Sequence, residues 1–267
     1  MANVHGLADG HNMSAQPTIH RIGIDDLRDA LRLGYEDFKE IPTHAVFLCL
    51  IYPVIGLFLG FASMGGRVTH LVFPLAAGFA LIGPFAAIGL YELSRRREDG
   101  LPLSWKHAFD IVRSHSFVSI LGVGLVLLAI FLGWLVAAQA IYTFTMGTEV
   151  DRAPLSLVQF LRDTLTTPQG WMMIIIGNLV GFCFAVLALT VSVVSFPLLI
   201  DRDVGVANAI QTSIRAVAEN PQTMAIWGLI VAVALALGSI PLFVGLAIVM
   251  PILGHATWHL YRKVVSL

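Results

Sequence analysis

The sequence predicts an all-α, polytopic membrane protein with six transmembrane helices, arranged as three repeats of an amphipathic helix followed by a transmembrane hairpin. Three observations carry this. Hydrophobic residues make up 57% of the 267-residue chain and charged residues only 12%, with a mean hydropathy of +0.82, whereas soluble chains are about a quarter charged. Several apolar runs reach the roughly 18 residues that a spanning helix needs. Finally, residues 241–263, PLFVGLAIVMPILGHATWHLYRK, repeat residues 74–96, PLAAGFALIGPFAAIGLYELSRR, without a gap. The two copies share Pro74/Pro241, Leu75/Leu242, Gly78/Gly245, Ala80/Ala247, Pro84/Pro251, Leu93/Leu260 and Arg95/Arg262.

The first twenty residues lack a basic n-region and an apolar h-region. They read as a disordered lead rather than a cleavable signal peptide. A single membrane domain then fills residues 21–267. Residues 22–40 form the first amphipathic helix, with Ile24, Leu27, Leu31, Tyr35 and Phe38 recurring every three or four positions. Asp25 and Asp26 suit its N-terminus, and Ile41-Pro42 ends it. A helix of this kind is expected to lie along the membrane surface.

The first two spans are expected over about 44–64, with Pro53 inside, and 70–93, ending in the charged run Arg95-Arg96-Arg97-Glu98-Asp99. A second amphipathic segment covers 103–116. The third span runs from 117 to about 142, a small interfacial helix covers 155–165, and the fourth span runs from Trp171 to about 200. The third amphipathic helix, 201–220, lines Val206, Ile210, Ile214 and Val217 on one face and stops at Asn220-Pro221. The fifth and sixth spans cover about 222–237 and 241–263.

Ala30, Glu40 and Pro42 align with Ala209, Glu219 and Pro221 at one offset, which extends the repeat to the amphipathic helices. The units read 22–96, 103–200 and 203–263. Each holds an even number of spans, so all share one orientation, and the expected relation is a pseudo-threefold along the membrane normal. Thirteen Lys and Arg residues lie on the side of the termini and three, Arg67, Arg152 and Arg162, on the other. That asymmetry puts both termini and the amphipathic helices in the cytoplasm.

Chemistry is sparse. His255 and His259 stand at i and i+4 on one helix, a spacing that can serve a metal or haem, although an aromatic–basic anchor around Trp258 accounts for the pair more simply. No third ligand or intervening glutamate supports the metal reading. Glu92 and Asp201 lie at the cytoplasmic ends of even-numbered spans and, with His259, define a candidate polar cluster near a central axis. The intramembrane polar residues Gln139, Asn178, Thr190, Ser192 and Ser195 are not ionisable, which argues against an ion-coupled transporter. Asn178 reads as helix–helix glue, and the Gly56/Gly60 and Gly177/Gly181 spacings as compact packing. Cys49 and Cys183 sit in apolar spans and read as small buried hydrophobes. A net charge of −1 offers no field for nucleic acid. No catalytic, nucleotide or metal motif is present, so no cofactor is expected. The partner is the lipid bilayer, and the sequence leaves open a membrane-protein partner or a homo-oligomer.

The stretches IGIDDLRDALRLGYEDFKEIP, GPFAAIGLYELSRRREDG and FPLLIDRDV, with the Tyr52-Pro53 pair, resemble a bacterial family of integral membrane proteins, the domain of unknown function 2189. The resemblance covers nearly the whole chain after about Ile19. It implies an inner-membrane protein without an assigned activity and brings no functional residue with it. Some members carry a loose cytochrome-oxidase-like label. A haem–copper core needs histidines deep in separate spans, but His255 and His259 share one helix, and His44 and His70 lie at interfaces.

These residues favour a non-enzymatic scaffold, assembly factor or passive small-molecule or lipid conduit. The alternative is an accessory redox or metal protein using His255 and His259.

Overall fold

The computed structural model describes residues 17–41, 56, 69–81, 83–147, 157–241 and 245–266. The expected first span, 44–64, lies outside the described residues apart from Gly56. In chain order the helices are α1 (Ile24–Glu40), α2 (Val72–Leu81), α3 (Gly83–Ala86), α4 (Ile88–Glu98), α5 (Phe117–Met146), α6 (Leu157–Thr166), α7 (Pro168–Ser192), α8 (Ser195–Asp201), α9 (Val206–Glu219), α10 (Pro221–Ser239) and α11 (Leu246–Val264). Short strands β1 (Thr18–Ile19) and β2 (Val265–Ser266) pair antiparallel, in the register Thr18 to Ser266 and Ile19 to Val265.

Three helical stretches among the described residues are long and apolar enough to cross a membrane: α5, α7 with α8 (Pro168–Asp201), and α10. At 1.5 Å per residue the 30-residue α5 exceeds the roughly 30 Å hydrocarbon core. The other expected spans differ in form. The second comprises α2, α3 and α4, with residue 82 outside the described residues and a turn at Ala87 between α3 and α4. The sixth starts at Leu246 and carries Pro251 inside and Arg262 and Lys263 in its last turn. The second amphipathic segment is a 3-10 helix over Trp105–Arg113 rather than an α-helix.

The amphipathic helices centre their buried face on small residues beside the large apolar ones, of which Leu27, Leu31, Phe38, Val206, Ile210 and Val217 pack on the core. On α1 the buried positions are Leu27, Ala30, Gly34 and Asp37, while Ile24 and Tyr35 stay about half exposed (52% and 50%). On α9 they are Ala209, Thr212, Ser213 and Ala216, and Ile214 is exposed. The reason is closeness of approach. An ideal Cβ on Gly34 would stand 2.5 Å from the Ala256 backbone nitrogen, so α1 lies directly on the α11 backbone. Small residues therefore set the contact, and the larger apolar side chains flank it. The small-residue face of α1 docks on α11.

The fourth span breaks at Val193–Val194, between α7 and α8. Ser213 of α9 repairs the break: its hydroxyl donates to the Thr190 carbonyl (2.8 Å) and accepts from the Val194 amide (3.2 Å). Freed backbone groups in an apolar span need such partners. In the middle of the bundle Trp134 donates to the Pro74 carbonyl (2.9 Å) and packs against Gly181, the spacing motif that suggested close packing. Gly177, its partner in that motif, faces open space, and Asn178 bonds the Ile174 carbonyl of its own helix instead of a neighbour. Cys183 is exposed rather than buried, on the outward face of α7; Cys49 lies outside the described residues.

The helices α4, α8 and α11 meet one another, and their junction forms the densest core. Tyr91, Phe196, Leu198, Leu199, Trp258 and Tyr261 are all fully buried there, while Leu90 packs with Phe38 of α1 and Leu93 with Ile41 at its end. Next to this core each amphipathic segment packs on the last arm of a hairpin: α1 on α11, Trp105–Arg113 on α4, and α9 on α7 and α8.

Candidate functional site

A buried polar cluster forms where α1, α4 and α11 meet. It begins with Asp37, which the small-residue face of α1 carries inward to 1% exposure. One carboxylate oxygen accepts from the Ser94 hydroxyl at 2.6 Å and from His259 Nε2 at 2.9 Å. The other accepts from the Arg97 guanidinium, which also grips Glu40 through its Nε at 3.0 Å. Ser94 and Arg97 come from α4, His255 and His259 from α11.

The hydrogen bonds fix a tautomer. Ser94 has one proton and gives it to Asp37, so at 2.6 Å from His255 Nδ1 its oxygen must accept. His255 is then the Nδ1–H form, and its Nε2 carries a lone pair. That ring is completely buried, and Nε2 has no hydrogen-bond partner among the described residues. The result is a carboxylate–hydroxyl–imidazole chain with a bare nitrogen at its end.

Burial alone would raise the Asp37 pKa. Hydrogen bonds from His259 and Ser94, and the nearby His255 and His259, outweigh it and hold the carboxyl below its ordinary value. A depressed carboxylate stabilises the fold fully above its unfolded pKa and stops doing so as pH falls through the folded value. Thermal midpoints in detergent are therefore expected to hold from pH 7 to about pH 5 and to fall below about pH 4. The Asp37→Asn variant, lacking this titration, should show a shallower fall than the parent.

Of the residues singled out from sequence, His255 and His259 enter this cluster. They do not chelate as a pair, because Asp37 takes the Nε2 of His259 and Ser94 takes the Nδ1 of His255. Among the described residues no group of three or more His, Cys, Asp or Glu side chains is arranged to hold a metal. Glu92 and Asp201 keep other company. Glu92 accepts twice from Arg95, at 2.8 Å each, and lies 3.6 Å from Arg96. Asp201 accepts from the Tyr261 hydroxyl at 2.8 Å and lies 3.6 Å from Arg262. His259 makes its hydrogen bond with Asp37, on α1.

Asp37, Ser94 and Arg97 are the site residues that sequence reading missed. Asp37 looked like one more charge on the polar side of an amphipathic helix. Its signal was its position three residues after Gly34, in line with Ala30.

Two further networks flank the cluster. Trp258 and Arg262 of α11 donate to opposite oxygens of Glu98 at 3.0 Å each. Lys263 lies 2.7 Å from Asp29 of α1 and holds its carboxyl below the ordinary value, together with Arg32.

No curated protein and no solved structure matches the chain significantly. Residues 72–201, which run from α2 through α8 and include Ser94, Arg97, Glu92 and Asp201, match the family model described as predicted integral membrane protein (DUF2189). This is the family that the sequence resembles, and the match covers residues 72–201 of the 267.

Proposed function

We propose that the protein is a non-enzymatic scaffold or assembly factor of the bacterial inner membrane, with six spans in three like-oriented units and both termini in the cytoplasm. The units run about 22–96, 103–200 and 203–263, within one membrane domain over 21–267. The observation that carries the scaffold reading is the junction of α4, α8 and α11. Large, fully buried side chains fill it, led by Tyr91, Phe196, Leu199 and Trp258. A conduit along the shared axis would need space or polar lining there, and a packed apolar plug supports a load-bearing core instead.

Several features support the topology. The β1–β2 pair brings the two ends of the described chain together, which supports an even number of membrane crossings. The caps of α1 and α9 agree closely, with Ile41 at φ −124°, ψ 41° and Asn220 at φ −128°, ψ 48°, each followed by proline. Their buried faces also correspond position by position: Ala30 with Ala209, Gly34 with Ser213, Asp37 with Ala216. The Lys/Arg asymmetry supports the cytoplasmic side.

Purified protein in liposomes is expected to leak potassium or glycerol no faster than empty vesicles. Flux that Leu199→Trp blocks would sink the scaffold reading in favour of a conduit.

The bare Nε2 of His255 favours a second reading, an accessory metal or redox site, since metal-bound imidazoles hold their other nitrogen on a donor–acceptor chain of this kind. Stoichiometric metal or a visible absorption band, lost in His255→Ala, would promote it over the first.

A further inference from the structure

We infer that α1 is a strap that closes a ring of the three units, and that Asp37, with His255 and His259, is its latch. The inference rests on the three-unit reading above. Each amphipathic segment lies on a second hairpin arm: Trp105–Arg113 on α4 of the first unit, α9 on α7 and α8 of the second, and α1 on α11 of the third. The order is cyclic. Two of its three contacts join sequence neighbours, through the loops 99–104 and 202–205. Chain connectivity alone holds those partners together, at little entropic cost.

The contact of α1 with α11 has no such tie, because the two helices stand at opposite ends of the chain. It is here that the cross-links collect. Asp37 takes His259 directly and His255 through Ser94. Lys263 takes Asp29. The Ile22 amide donates to Asn220, whose own amide reaches the His20 carbonyl, and β1 pairs with β2.

The departures from the repeat meet at the same place. Asp37 stands where α9 has Ala216, and His255 and His259 stand where α4 has Ile88 and Glu92. Each substitution is out of pattern in its own copy, and together they form one hydrogen-bonded set. A buried polar set is a poor general stabiliser but a good register key, since only one docking satisfies every member. It selects α1, and not the similarly shaped α9, for the face of α11.

The titratable and charged groups facing Asp37 are Arg97 from α4, His255 and His259 from α11, and Glu40 from α1 through Arg97. Removing the carboxylate takes the acceptor from the Ser94 hydroxyl and His259, leaves Arg97 with Glu40 alone, and changes nothing at the other two junctions.

The test is amide hydrogen exchange of the full chain in lipid nanodiscs, comparing the parent with Asp37→Ala and the milder Ser94→Ala. The latch predicts at least tenfold faster exchange across α1 in Asp37→Ala and a smaller rise in Ser94→Ala. Amides of α5 and α9 should keep parental rates in both. Unchanged α1 protection in both variants would overturn the inference, as would equal acceleration of all helices in Ser94→Ala. If Asp37→Ala fails to fold, Ser94→Ala alone decides. A reporter fused after Leu267 and found outside the cytoplasm would fail the three-unit topology without touching the exchange result, so the two failures are distinguishable.

Discussion

Asp37→Ala is expected to be among the most damaging single substitutions outside the apolar core, costing about 3–5 kcal/mol of stability in detergent. The magnitude follows from what stays behind. Arg97 is about three-quarters shielded and keeps Glu40, but His259 and the Ser94 hydroxyl lose their acceptor in a region closed to water. Stranded buried donors cost their full desolvation, which exceeds the net worth of the bonds lost. Asp37→Asn keeps the shape and one acceptor oxygen, so its loss should be clearly smaller. Equal losses for the two would show that the charge at Asp37 is what matters and that its hydrogen bonds do not. Thermal denaturation followed by size-exclusion fluorescence reads both.

Gly34→Val is expected to cost about 3 kcal/mol by a different route. A Cβ at this position would meet the Ala256 nitrogen at 2.5 Å and its Cα and Cβ at 2.7 Å. Two of these atoms are backbone, so no rotamer change relieves the clash, and α1 must lift from α11. Lifting α1 also pulls Asp37 away from His259. The proper control is Gly177→Val on α7, where no atom of the described residues lies within 4 Å of the added Cβ. That substitution should change stability by no more than about 0.5 kcal/mol. A large loss at Gly177 and none at Gly34 would mean that α1 does not dock as described.

Much of the architecture was legible in the sequence because bilayers impose coarse rules. Apolar runs of spanning length mark α5, α7 and α10 without ambiguity, and Ile41-Pro42 and Asn220-Pro221 mark the ends of α1 and α9. Docking faces were less legible. Reading for large apolar residues picked Ile24 and Tyr35, which are half exposed, and passed over Ala30 and Gly34. Close helix approach selects for smallness, which a hydrophobic pattern does not register. The site was half legible for the same reason. His255 and His259 stood out as departures from the copy at Ile88 and Glu92. Their partner Asp37 lay more than two hundred residues away, on a helix whose polar residues all looked solvated. Asn178 illustrates the opposite error: a lone amide in a span suggested a cross-helix bond, and it satisfies itself on the carbonyl four residues back.

The account turns on the energy shared by Asp37 and His259 across the α1–α11 seam. A double-mutant cycle measures it: stability of the parent, Asp37→Ala, His259→Ala and the double variant, at pH 7 in one detergent. The latch predicts that the double variant is more stable than additivity allows, by at least about 1 kcal/mol, because each single change already breaks the same bond. Losses that add within about 0.5 kcal/mol would contradict it and leave the histidines and Asp37 as neighbours without a common task.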